Sequence, residues 1–169
     1  MRTRKPDHLG AFDYRGHYAY FLTFCTYGRR PIFRCAERVD LVRAQILRTC
    51  TEMRFATAAY CFMPDHLHLL VEGLEEGSDC LRFISAAKQY SGFYYQRMFG
   101  DRLWQRYGYE RTLRSEESML SVARYVIENP LRAGLVRDVR DYPYLGSERY
   151  SLDQMLDAVQ LNRWSRGSG

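Results

Sequence analysis

Apolar and polar positions alternate most cleanly over 66–72. Leu67, Leu69 and Val71 fall on one side of an extended chain, and His66, His68, Leu70 and Glu72 on the other. This predicts a strand over His66–Glu72. Aromatic and β-branched residues crowd His17–Thr26, predicting a first strand, and Phe55–Phe62 predicts a second that Met63-Pro64-Asp65 joins to His66–Glu72 as a hairpin. Between the first two strands, Gly28-Arg29-Arg30-Pro31 turns the chain. Val39, Val42, Ile46 and Leu47 then recur at helical spacing within Ala36–Met53. A second helix is expected over Asp79–Phe99, carrying Leu81, Ile84, Ala87, Phe93 or Tyr94, and Met98. Leu103–Leu113 reads as a fourth strand with a bend near Gly108. Ser115 is a candidate N-cap, with Glu116 and Glu117 in the first turn where the helix dipole favours negative charge. That helix is expected to stop at Glu128 or Asn129, because Pro130 disfavours helical backbone in the residue before it. A loop around Gly134 follows over Leu131–Val136, and a last helix runs roughly from Leu152 to Leu161.

The order β-α-β-β-α-β predicts an α+β protein with a ferredoxin-like split βαβ sandwich, in which two helices cover one face of an antiparallel sheet. The helix starting at Ser115 is left over and is expected on the other side. No repeat, low-complexity block or linker divides the 169 residues, so they read as one domain with a basic arm over 1–16 and a flexible tail over 162–169. A composition 46% hydrophobic and 27% charged excludes a disordered chain. Apolar runs are too short to cross a membrane, and the polar start leads into no secretory apolar segment, so a cytoplasmic protein is expected. Cys25, Cys35, Cys50, Cys61 and Cys80 form an odd set without C-x-x-C spacing and read as reduced thiols.

Charge sharpens the picture. The net charge is +5, and of 25 basic residues only Lys5 and Lys88 are not arginine. Fourteen tyrosines, nine phenylalanines and two tryptophans accompany them. Guanidinium forks beside aromatic faces suit single-stranded nucleic acid, although composition alone equally fits a solvated arginine-rich surface. Arg29, Arg30, Lys88, Arg106, Arg111, Arg114, Arg132 and Arg137 are the candidates to track a nucleic-acid backbone. Trp104, Tyr107 and Tyr109 could stack on bases or belong to the core.

Strand alternation sets the imidazoles of His66 and His68 side by side on the face away from the apolar triplet, a spacing that lets both bind one metal. Two partly exposed surface histidines fit the same pattern. Further donors are most readily found on the leftover helix, where Tyr125 and Asn129 lie four residues apart on one face. Spacing alone leaves open that Asn129 caps the turn into Pro130 and that Tyr125 is an aromatic at the core edge.

Met63-Pro64-Asp65-His66-Leu67-His68-Leu69-Leu70-Val71 resembles the His-hydrophobic-His (HUH) motif of single-tyrosine transposases. Tyr125-Val126-Ile127-Glu128-Asn129-Pro130-Leu131-Arg132-Ala133-Gly134-Leu135-Val136 resembles the Tyr-Ile-x-x-Asn-Pro-x-x-x-Gly-hydrophobic-Val block of their REP-associated branch, insertion-sequence-type transposases that are often domesticated. The likeness spans most of 17–145. It implies that His66 and His68 hold Mg²⁺ or Mn²⁺, with Asn129 as third ligand where other branches use glutamine. It also implies that Tyr125 is the nucleophile, cutting single-stranded DNA near a hairpin to leave a 5′-phosphotyrosine link and a free 3′-OH. Two nitrogens and an amide oxygen suit manganese at least as well as magnesium, and zinc also fits. The resemblance further implies a nucleoid-associated monomer with its tyrosine in cis, rather than a homodimer supplying it in trans. Two other readings use the same residues: a non-catalytic nucleic-acid-binding regulator, and a structural metal-binding domain.

Overall fold

A computed structural model of the protein describes residues 15–113 and 116–165. Candidate residues Arg114 and Ser115, residues 1–14 of the expected 1–16 arm and the last four residues of the tail lie outside the described residues. Five strands, β1 (Ala19–Cys25), β2 (Phe55–Met63), β3 (His66–Gly73), β4 (Tyr109–Leu113) and the two-residue β5 (Leu145–Gly146), form one antiparallel sheet in the order β4-β1-β3-β2-β5. Helices α1 (Ala36–Glu52) and α2 (Cys80–Phe99) follow β1 and β3, so the first four strands have the expected ferredoxin-like connectivity. Helices α3 (Glu116–Arg132) and α4 (Leu152–Ser165) complete the described chain. None of these helices is long and apolar enough to cross a membrane.

Period-two alternation sorts the strands into two cores. Tyr20, Leu22 and Phe24 of β1 and Leu67, Leu69 and Val71 of β3 pack with Val39, Val42 and Ile46 of α1 and Phe83, Ala87 and Tyr95 of α2. On the other face, Ala19, Phe21, Ala59, Cys61, Met63 and Leu70 pack with Val122, Val126 and Ile127 of α3 and Met155, Leu156 and Val159 of α4. Both sides of the sheet are therefore covered over part of their area, and α3 lies where the histidines point.

Three elements depart from expectation. The segment Leu103–Gly108 is not strand: Trp104 makes a single bridge to Thr26, and β4 begins only at Tyr109. Trp104 is instead buried, its ring against Phe24 and Phe33 and its Nε1–H donating to Ser91 Oγ at 2.8 Å. Gly108 passes so close to β1 that a Cβ there would lie 2.4 Å from the Thr23 carbonyl oxygen. Helix α3 runs through Pro130 to Arg132 rather than ending before the proline. Its stop is Gly134 at φ +71°, where Leu135 N–H bonds the Pro130 carbonyl at 2.9 Å and Gly134 N–H the Leu131 carbonyl at 3.1 Å, a Schellman cap that needs left-handed backbone. Helix α4 extends to Ser165, so the first residues of the expected tail are helical. Strand β5 and a 3₁₀ turn at Val139–Asp141, too short for periodicity to reveal, were not expected.

Candidate active site

His66 and His68 stand on the α3-facing side of β3. Antiparallel register sets Thr23 of β1 and Cys61 of β2 opposite His68, with Cys25 and Met63 opposite His66. The two Nε2 atoms are 3.1 Å apart. Each Nδ1 has its own partner. His66 Nδ1–H donates to Asp65 Oδ1 at 2.7 Å, since an ionised carboxylate only accepts, and His68 Nδ1 meets Thr23 Oγ1 at 2.9 Å. The other carboxylate oxygen of Asp65 takes Arg29 Nε at 2.9 Å, and Arg29 Nη1 also donates to Cys25 Sγ at 2.7 Å. These contacts offset the left-handed backbone of Arg29, at φ +56°. The result is a chain of bonds from Arg29 through Asp65 and both imidazoles to Thr23.

Burial sets the protonation of the pair. Desolvation lowers the His66 pKa against the opposing pull of Asp65. His68, only 5% exposed, is driven down to about 3 by burial and then by His66, Arg132 and Arg29. Both imidazoles are therefore neutral at pH 7. With His66 protonated at Nδ1, its Nε2 carries a lone pair. His68 can donate Nε2–H to that lone pair, or move its proton to Nδ1 and donate to the Thr23 hydroxyl. In the second tautomer two lone pairs converge, which is the form a metal requires. Two nitrogens share one ion only within about 4.2 Å, twice a bond of ~2.1 Å, and 3.1 Å meets that limit. Partners on both Nδ1 atoms orient the rings in the way that ligating histidines are held. The donor set thus fits a divalent cation. Among the described residues no group of three His, Cys, Asp or Glu side chains forms a metal cluster, which leaves the carboxamide of Asn129 as the third donor to consider.

Helix α3 brings Tyr125 to the same place within one chain. Its ring packs edge-on against His68, with centroids 5.5 Å apart, and against Phe21 at 5.8 Å, while 43% of the residue remains exposed. Asn129, one helical turn later on the same face, is 9% exposed. Pairing between β1 and β4 adds Tyr109 and Arg111 to this side of the sheet, opposite Thr23 and Phe21 respectively, and both are exposed. Tyr109 also packs edge-on against Phe21 at 5.9 Å.

The family description that fits this chain is that of an IS200-like transposase, matched over residues 15–129. The chain belongs to that family. A Haemophilus influenzae chain described as a REP-associated tyrosine transposase is similar, 27% identical over 142 residues that cover 77% of this chain and 80% of that one. A solved structure of a REP-associated tyrosine transposase bound to a REP hairpin shares the fold, with a TM-score of 0.69, 20% identity, and 82% and 81% of the two chains covered. A crystal structure assigned as a transposase from Deinococcus radiodurans is a more distant neighbour, with a TM-score of 0.52, 23% identity, and 76% and 97% covered.

In this IS200-like chain the basic candidates separate by position. Arg29 and Arg132 act electrostatically on His68, and Arg111 shares its face of the sheet. Arg30 is tied to the Asp101 carboxylate and the Arg102 carbonyl. Lys88 lies in the α1/α2 layer, its Nζ donating to the carbonyls of Gln105 at 2.6 Å and Arg106 at 3.1 Å and lying 5.7 Å from the Phe24 ring centroid. Arg106 stacks over Tyr107 at 5.3 Å, and Arg137 is exposed beyond α3. Sequence reasoning missed Thr23 and the bracing roles of Asp65 and Arg29. A carboxylate immediately before a histidine in a tight turn is a readable signal, whereas Thr23 is found only through strand register.

Proposed function

We propose that the protein is a metal-dependent strand transferase that cuts single-stranded DNA beside hairpin-forming repeats, using Tyr125 as nucleophile. The observation that carries this reading is the packing of an exposed phenol against His68, within one chain, beside two converging imidazole nitrogens. That same-chain contact supports a monomer with its tyrosine in cis. The hairpin partner is carried over from the relative described as bound to a REP hairpin.

The Tyr125 oxygen attacks the phosphorus and forms the new P–O bond while the P–O3′ bond breaks. The phenolic proton passes to water, and the departing 3′ oxygen takes one up. A 5′-phosphotyrosine and a free 3′-OH result, and attack by another 3′-OH reverses the step without ATP. His66 and His68, with Asn129, would hold Mg²⁺ or Mn²⁺, which when bound offsets charge on a non-bridging phosphate oxygen. Asp65 and Thr23 keep the imidazoles oriented. Arg29 and Arg132 attract the phosphodiester, and the exposed ring of Tyr109 offers a stacking face for a base.

The test incubates wild type and Tyr125→Phe with labelled hairpin-bearing single strands and Mn²⁺ or Mg²⁺ at fixed ionic strength, because phosphate contacts are salt-sensitive. A denaturant-resistant adduct from wild type alone, with strand binding retained by both proteins, is the expected result. Strand binding without adduct in the wild type favours a regulator that binds and does not cut.

A further inference from the structure

The Tyr125 ring has a third neighbour besides Phe21 and His68. The guanidinium carbon of Arg132 lies 4.2 Å from the ring centroid, and Arg132 Nη2 donates to the Tyr125 backbone carbonyl at 2.6 Å. Glu128 steers that side chain from the same helix, with Oε2 3.8 Å from Arg132 Nη1 and Oε1 accepting from Arg124 Nε at 3.0 Å. Pro130 has no N–H to give the Val126 carbonyl, and the Arg132 donor goes instead to the carbonyl one residue earlier, that of Tyr125.

We infer that Arg132 is a positioning residue for Tyr125, clamping the phenol by its ring face and its own carbonyl at once. The inference rests on Tyr125 being the nucleophile. Phe21, His68 and Arg132 enclose the ring on three sides and leave the remainder open to a strand. Holding a nucleophile in its attacking arrangement lowers the barrier without adding binding energy. Arginine can do both tasks because its planar fork stacks and donates in one plane. Lysine keeps the charge but cannot stack on the ring and reach the carbonyl together.

Arg132→Lys and Arg132→Met separate clamp from charge. Strand affinity at fixed salt is measured beside the single-turnover rate of adduct formation at saturating strand. Each protein is also labelled with 3-fluorotyrosine, the Tyr125 resonance being assigned by its loss in Tyr125→Phe. Arg132→Lys is expected to leave affinity nearly unchanged while the rate at saturation falls about 10- to 100-fold. The Tyr125 fluorine resonance is expected to move in both variants, with or without DNA. An unmoved resonance in both, or a wild-type rate in Arg132→Lys, overturns the clamp. So does a defect that saturating strand restores, which makes Arg132 a phosphate contact only. If the wild type forms no adduct, it is the reading of Tyr125 that fails, and the fluorine resonances still decide whether Arg132 holds the ring.

Discussion

Replacing Asp65 with alanine removes two interactions at once: the acceptor for His66 Nδ1–H at 2.7 Å and the partner of Arg29 Nε at 2.9 Å. The first orients an imidazole and raises its basicity. Losing the partner of a ligating histidine typically weakens metal binding about 10- to 100-fold, or ~1.4–2.7 kcal/mol at ~1.4 kcal/mol per tenfold. The second is half-exposed on the Arg29 side and screened by solvent, so its loss costs the fold no more than about 1 kcal/mol. Metal affinity should therefore fall by more than stability. Asp65→Asn can still accept from His66 through its amide oxygen, without the charge, and should fall between alanine and wild type. The assay is a Mn²⁺ titration of the DNA-free protein by electron paramagnetic resonance, with thermal melts of the same samples. Equal Mn²⁺ affinity in Asp65→Ala and wild type refutes the reasoning.

Other features make independent predictions. Trp104→Ala empties a buried site ringed by Phe24 and Phe33 and removes the donor to Ser91 Oγ, and should cost about 3–5 kcal/mol in denaturant titrations; a loss below ~1 kcal/mol would mean that the segment does not anchor β1. Gly134→Ala forces a side chain into left-handed backbone and should cost about 1–2 kcal/mol, read as a lower melting temperature. Burial pushes Lys88 down to about 8, so from pH 8 upward the folded state sheds a proton that the unfolded state keeps until about 10.4. Stability of the wild type should accordingly rise relative to Lys88→Met over that window and not below it, and a pH-independent difference between the two proteins would contradict the assigned burial.

How much of this was readable beforehand follows from the range of each interaction. Alternation in 66–72 is a local property of extended chain, so Leu67, Leu69 and Val71 pack against α1 and α2, and His66 and His68 face the other way. Val39, Val42 and Ile46 of α1 are buried at helical spacing for the same reason, whereas α2 buries Cys80, Phe83, Ala87, Ser91 and Tyr95 and leaves the expected Leu81, Phe93, Tyr94 and Met98 exposed. Trp104 reads as strand by residue type, yet it keeps only an isolated bridge to Thr26 while its buried indole bonds Ser91. Pro130 is a local stop signal, yet the helix continues beyond it to the cap built by Gly134. Thr23 and His68 are 45 positions apart, and only pairing of β1 with β3 brings hydroxyl and imidazole together. Of the groups that brace the motif, Asp65 is adjacent in sequence, whereas Thr23 and Arg29 are brought to it by tertiary structure.

Digesting the adduct formed on a hairpin-bearing strand and sequencing the nucleotide-linked peptide by mass spectrometry tests the central claim most directly. The account predicts a 5′-phosphate esterified to Tyr125, in a reaction that stays first-order in protein because the imidazoles and the phenol come from one chain. An adduct on any other residue, or one that Tyr125→Phe protein mixed with His68→Ala protein forms as readily as wild type, would contradict it.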